Sequence, residues 1–177
     1  MPRGGSTIDA AARVWQGSTM VVAPPTPRIR HVAPDDVDAA ALLRAYYDEL
    51  RVRLGGFDPP SLEQLREDAS GGAVLLLDDD QGVVACGSLR LLDADTAEIK
   101  RMFVAVRARG RGHARSMLRA LESEARTRGC ARVVLDTAAP LREAAGLYLA
   151  EGYREVPAYN DNPFAARWFE KTLERGA

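Results

Sequence analysis

The segment Arg109-Gly110-Arg111-Gly112-His113-Ala114 constrains this chain more than any other. An apolar strand pattern, Thr96 to Val104, precedes it. A helix pattern follows to about Arg128, with Ala114, Met117, Leu118, Leu121 and Ala125 at helical spacing. A glycine-rich turn that opens a helix is an anion site, because first-turn amides lack intrahelical acceptors and the helix dipole adds partial positive charge. Small residues at Gly110, Gly112 and Ala114 let a ligand approach the backbone. From Ile99 to Leu121 there are seven Lys or Arg (Lys100, Arg101, Arg107, Arg109, Arg111, Arg115, Arg119) and no Asp or Glu, in a chain of net charge -1. A phosphate-bearing ligand is expected, against the alternative of a basic, solvated helix start. The turn lacks the Gly-Lys-Ser/Thr ending of a Walker A loop. It holds only half of a dinucleotide fingerprint, and the strands before it read as a meander.

At 177 residues the chain suits one domain with a full core. A pI near 6.2 gives no global attraction to nucleic acid, and the basic cluster has no aromatic interleaving. Cys86 and Cys130 are too few for a disulfide framework or a metal quartet, so no metal is expected and a reducing, cytoplasmic setting fits. No apolar run approaches a membrane span, and Met20 to Ala23 is too short for a signal peptide core. Cys86, inside an apolar strand pattern, reads as a buried small hydrophobe.

Residues 1–27 are rich in Gly, Ser and Pro, with one short helix candidate from Ile8 to Trp15, and read as an extension of disordered type. The domain proper is residues 28–177. It opens with a strand, Ile29 to Val32, and a helix, Val37 to Leu54, capped by Asp35 or Asp36. Ser61 and Gln64 have capping-box spacing for a second helix. Ala73 to Leu77, Val83 to Leu92 and Thr96 to Val104 form an antiparallel meander. After the glycine turn and its helix come a buried strand, Ala131 to Asp136, and a helix, Leu141 to Glu151. Two strands, Tyr153 to Val156 and Arg167 to Thr172, close the chain. The order is β-α-α-β-β-β-α-β-α-β-β, an α/β (α+β) domain.

The run Ala97-Glu98-Ile99-Lys100-Arg101-Met102-Phe103-Val104 followed by the glycine turn resembles motif A of the GNAT superfamily of acetyl-CoA-dependent N-acetyltransferases. Ala145-Gly146-Leu147-Tyr148-Leu149-Ala150-Glu151-Gly152-Tyr153 is similar to its motif B. The resemblance covers about Ile29 to Leu173 and is specific across Glu98 to Tyr153. Pro157 to Pro163, with Trp168-Phe169-Glu170-Lys171, is similar to bacterial small-molecule members. Two positions depart from the family. Leu141 stands where many members carry an Asn, and Val106 where a Pro is frequent.

The resemblance implies a mixed, mostly antiparallel sheet, splayed at its middle and flanked by helices, with acetyl-CoA between the strands Thr96–Val104 and Ala131–Asp136. Main-chain groups at Met102, Phe103 and Val104 would pair with the pantetheine arm. Amides of Arg109, Gly110, Arg111, Gly112, His113, Ala114 and Arg115 would hold the pyrophosphate. A bulge in the first strand would aim an amide at the thioester oxygen. A primary amine with a pKa of about 10 must lose a proton before attack, and the resemblance puts Glu98 in the position of a general base; pairing with a nearby Arg is the alternative. Tyr148 fits the acid that protonates the departing sulfur, or else a core tyrosine with an anchored hydroxyl. His113 fills the variable position of the turn, and His31 is a strand residue without chemistry.

The expected activity is acetyl transfer to the amine of a small molecule by direct attack in a ternary complex, since no Cys or Ser is placed to form an acyl-enzyme. The amine would enter over Gly55–Asp58 and Pro157–Pro163. Alternatives are a protein Lys or N-terminal acetyltransferase and a non-catalytic acyl-CoA-binding module. The resemblance also suggests a homodimer.

Overall fold

The computed structural model describes residues 27–61, 63, 64, 66 and 71–174. The chain runs β1 (Arg28–Val32), α1 (Val37–Leu54), β2 (Ala73–Asp79), β3 (Gly82–Leu91), β4 (Thr96–Val104), a short 3-10 turn (Val106–Ala108), α2 (His113–Thr127), β5 (Arg132–Thr137), α3 (Arg142–Ala150), β6 (Arg154–Val156) and β7 (Arg167–Thr172). The extension expected at the N-terminus lies outside the described residues but for Pro27. The capping box at Ser61 is present: Ser61 N donates to Gln64 Oε1 at 2.8 Å, and Gln64 N to Ser61 Oγ at 3.2 Å. Glu63, Gln64 and Arg66 are helical, and the remainder of that predicted helix is outside the described residues.

The strands make one sheet in the order β1-β2-β3-β4-β5-β7-β6. Pairing is antiparallel throughout, except that β4 and β5 are parallel. The run Leu75-Leu76-Leu77 explains how both faces are covered. Leu75 and Leu77 belong to a core with Met117, Leu118 and Leu121 of α2 and Tyr148 of α3. Leu76 points the other way, into a cluster with Ala39 and Leu42 of α1 and with Cys86 and Phe103. An uninterrupted apolar strand is therefore what the fold requires at β2.

Local chemistry sets the helix ends. Asp36, one of the two predicted caps, accepts from Asp38 N at 2.9 Å and Ala39 N at 3.1 Å. α2 starts without a side-chain cap, on Gly112 in the left-handed region at φ 83°. Gly87 of β3 serves packing: a Cβ there would stand 2.7 Å from Leu121 Cδ1, so only glycine lets α2 press this closely on the sheet.

Two irregularities of β4 make the site. Cys86 pairs with Phe103 and Ser88 with Lys100, so Gly87 faces both Arg101 and Met102 across a bulge. Arg101 takes φ 54° there. On its other edge β4 pairs with β5 only at Thr96, Ala97 and Glu98. Past Glu98 the strands part, as the resemblance implied.

Candidate active site

The parted strands bound a cleft of about 260 Å³. Lys100, Arg101 and Met102 of β4 form one wall and Asp136, Thr137 and Ala138 the other, with Tyr148 of α3 between. α1 and its following loop add an aromatic wall. Tyr47 stacks on Phe57 with ring centroids 5.8 Å apart, and Phe57 meets the edge of Phe164 at 5.0 Å.

The glycine turn follows β4 in the chain, after the short 3-10 turn Val106–Ala108. Gly110 and Gly112 have φ 78° and 83°, and a Cβ on either would meet nothing within 4 Å. Their conformation, not crowding, requires glycine, and the space beside them is open to a ligand. The amides of His113, Ala114 and Arg115 form the first turn of α2, where helical geometry leaves donors without intrahelical acceptors. The turn thus fits a pyrophosphate. The unpaired edge of β4 beyond Glu98 fits an extended amide-bearing arm such as pantetheine.

The arginines around this turn are less free than their sequence density suggests. Arg109 Nη2 pairs with Glu49 of α1 at 2.5 Å, and Arg115 and Arg119 Nε both pair with Glu151 at 2.6 and 2.7 Å. Burial alone would raise Glu49, but the Arg109 and Arg53 guanidinium groups outweigh it and hold its carboxyl below the usual range. Arg53 continues from Glu49 (3.1 Å) to Glu143 of α3 and to the Pro140 carbonyl (2.6 Å). An ion-pair chain, Arg109–Glu49–Arg53–Glu143, therefore links the glycine turn to the start of α3. Glu49 and Arg53 are neighbours at i,i+4 on α1, but Arg109 and Glu143 come from distant segments and no sequence signal announced them.

Tyr148 is 6% exposed, reaches the cleft, and packs its ring on Tyr153 and Phe169. Burial, helped by the nearby Asp136 charge, raises its phenol, so it stays protonated at neutral pH and can only donate a proton. The ring is packed in the core, and the residue also lines the cleft.

Glu98 is 1% exposed, and both of its oxygens accept hydrogen bonds. One oxygen takes Arg90 Nε and lies 3.7 Å from Lys100 Nζ. The other accepts from Tyr159 Oη at 3.0 Å and Asn160 Nδ2 at 3.2 Å. The alternative reading, pairing with an Arg, is thus present in the structure. Asn160 also donates to Asp136 at 2.8 Å and accepts from Trp168 Nε1 at 2.9 Å, and Asn162 donates to Asp136 at 2.9 Å. Sequence reasoning missed Asp136, although a lone carboxylate ending the apolar run Val133-Val134-Leu135 was a signal.

His113, read as filling a variable position, is buried beside Asp79, with Nε2 3.5 Å from Asp79 Oδ2. His31 has an exposed ring 3.3 Å from Glu124. Cys86 is buried, its Sγ donating to the Arg101 carbonyl at 3.7 Å, and burial pushes its thiol up to about 12.

The profile of the Acetyltransferase (GNAT) family matches residues 39–153, most of the described domain. The chain belongs to this family. The family fold and its donor, acetyl-CoA, agree with the splayed strands and the glycine turn. Among solved structures, a Klebsiella pneumoniae protein described as an acyl-CoA N-acyltransferase is 28% identical over 84% of this chain and 98% of its own, with TM-score 0.67. A Staphylococcus aureus acetyltransferase of the GNAT family is 19% identical over 84% and 100%, at TM-score 0.70. An Elizabethkingia anophelis GNAT acetyltransferase with acetyl-CoA bound is 18% identical over 83% and 98%, at 0.63. No curated protein matches the chain. No described helix is long and apolar enough to cross a membrane.

Proposed function

We propose that this GNAT protein acetylates the amine of a small molecule, by direct attack on acetyl-CoA in a ternary complex. The observation that carries the reading is the parting of β4 from β5 past Glu98, with aromatic side chains lining the cleft there and the glycine turn following β4 in the chain. In this reading the amides from Arg109 to Arg115 hold the pyrophosphate, and the Met102–Val104 edge pairs with the pantetheine arm. An amide at the Arg101–Met102 bulge donates to the thioester oxygen as negative charge develops there. Tyr148, held protonated by burial, gives its proton to the departing sulfur.

Three features favour a small acceptor and a direct transfer. The cleft is modest in volume, and Phe57, Pro60 and Phe164 narrow it on the acceptor side. The Arg53–Glu143 pair crosses beside it, from α1 to α3. Cys86 is buried and its thiol is raised to about 12, so it does not supply a thiolate for an acyl-enzyme.

Glu98 has a different part in this scheme from the one the family resemblance implies. Its oxygens accept from Arg90, Tyr159 and Asn160, with the Lys100 ammonium 3.7 Å away. We assign it a positioning role: it fixes Tyr159 and Asn160, and Asn160 in turn orients Asp136.

The test is transfer from acetyl-CoA to a panel of small amines and to lysine-bearing and free-N-terminal peptides, read by mass spectrometry alongside thiol release. An N-acetylated small molecule, with no peptide modified at comparable efficiency, is expected. Modified peptides alone would replace the acceptor class. Binding of acetyl-CoA with no transfer to any amine would leave a non-catalytic module.

A further inference from the structure

We propose that Asp136 receives the acceptor's ammonium group and takes its proton, which makes the acceptor a primary alkylammonium on an apolar or aromatic frame. This inference rests on the N-acetyltransferase reading above.

The position of Asp136 is the first reason. The last β4–β5 pair joins Glu98 to Val134, so Asp136 stands two residues beyond, where the strands have parted and its carboxylate borders the cleft. Leu135 beside it is buried in the core with α2, so Asp136 is on the opposite face of the strand, the face of α1. That is the side on which Phe57 and Phe164 form the aromatic wall.

Its partners are the second reason. Oδ2 accepts from Asn160 Nδ2 at 2.8 Å and Oδ1 from Asn162 Nδ2 at 2.9 Å. These amides fix the carboxylate and bring no charge. Other carboxylates around the cleft are neutralised: Glu98 by Arg90 and Lys100, Glu49 by Arg53 and Arg109, Glu143 by Arg53. Among the described residues no Lys, Arg or His forms an ion pair with Asp136. A carboxylate oriented by neutral donors in a partly desolvated cleft favours a cationic ligand. Aromatic faces across the cleft suit both an apolar stem and the charge.

The other groups facing this space do not compete for the role. Tyr148 of α3 and Tyr46 of α1 are phenols raised by burial and uncharged at neutral pH. Tyr159, outside the cleft lining, is a raised phenol that donates to Glu98. Lys100 lies 3.7 Å from Glu98, and Arg101 Nε donates to Tyr47 Oη at 2.9 Å. Asp136 is the cleft-lining carboxylate left to meet an ammonium.

The step balances without a further reactant. The ammonium gives one proton to Asp136 and gains a nitrogen lone pair. That pair forms the C–N bond while the carbonyl π pair moves to oxygen. The oxygen pair returns, and the C–S bond breaks with its electrons on sulfur. Sulfur takes the Tyr148 proton, and the second nitrogen proton restores the phenol. Asp136 then releases its proton to water. An ammonium and a thioester give an amide, a thiol and one proton.

The test is Asp136→Asn, which keeps size and removes charge. Acceptors are 2-phenylethylamine, cationic at neutral pH, and an arylamine that is already neutral there. kcat/KM for the alkylamine should fall by about 10²–10⁴-fold, with acetyl-CoA affinity and melting temperature preserved. Arylamine transfer should be spared, and the alkylamine loss should shrink as pH rises. An equal loss for both amines, or none for either, overturns the inference. If the variant does not fold, wild-type protein decides: 2-phenylethylamine should occupy the acceptor site far more tightly than 2-phenylethanol, and equal binding overturns the inference. Wild-type protein that acetylates no amine overturns the parent reading instead.

Discussion

Replacing Gly112 separates the cost of backbone conformation from the loss of ligand. Gly112 takes φ 83°, and a Cβ there meets nothing within 4 Å. Gly112→Ala therefore carries the left-handed cost alone, about 1–2 kcal/mol. For a domain of this size each kcal/mol lowers the melting temperature by about 2–4 °C. Gly129 is the control, with φ 86° and the same open surroundings, but at the far end of α2. The two alanine variants should lose similar stability. Only Gly112→Ala should weaken CoA, because its methyl projects where the pyrophosphate approaches. Gly112→Asp adds a charge. At about 4 Å and an effective dielectric near 20, one unit charge repels another by about 4 kcal/mol, an upper limit in a site open to solvent. The aspartate should therefore cost affinity well beyond the alanine, by about tenfold to a hundredfold. Isothermal calorimetry with CoA and thermal melts on all three variants give the comparison. Unchanged affinity in Gly112→Asp, or equal loss in Gly129→Ala, would refute the assignment of the turn.

Tyr148→Phe keeps the ring against Tyr153 and Phe169, so stability should fall by at most about 1–2 kcal/mol, while kcat drops by roughly tenfold to a thousandfold at unchanged acetyl-CoA affinity. Collapse of the fold with normal turnover in the folded remainder would make it a core residue only. Glu98→Gln leaves Arg90 and Lys100 without their shared carboxylate, so it should lower both melting temperature and kcat, with the shape of the pH–rate profile kept. A loss that shrinks as pH rises would return the base role to Glu98. Burial raises the phenols of Tyr148, Tyr153 and Tyr159. Above a pH of about 10 the unfolded chain loses phenolic protons that the folded chain retains, so stability must fall as pH climbs; denaturant midpoints that stay flat through that range would contradict their burial. Glu49, Glu143 and Glu151 are held low by arginines, so their contribution is present above the ordinary carboxylate range and is lost as pH falls through it. Arg53→Ala should blunt that acid limb, and an identical acid profile would disprove the Glu49–Arg53–Glu143 link.

The elements that sequence reading recovered are those whose cause is local. α1 and β4 fall within their predicted bounds because helical spacing and an uninterrupted apolar run are properties of neighbouring residues. β2 extends to Asp79 and β3 begins at Gly82, since pairing across a hairpin carries the ladder past the apolar residues into the turn. The predicted ends of α3, Leu141 and Glu151, are its capping residues. The site divides in the same way. The glycine turn was legible because its conformation and its helix are written in six consecutive residues. The ion-pair chain from Arg109 to Glu143 was not, because its partners join segments about 90 residues apart that only the fold brings together. Asp136 is an intermediate case: a charged residue in an apolar strand is visible, but that the strand has left its neighbour at that point is a property of the sheet.

The most direct test of the central claim is residue-resolved amide hydrogen exchange of the full chain, with and without acetyl-CoA. Binding in the gap between β4 and β5 predicts slowed exchange at the Ile99–Val104 edge and from Gly110 to Arg115, with β1, at the far edge of the sheet, unchanged. Saturating acetyl-CoA that leaves both segments at their free rates would contradict it.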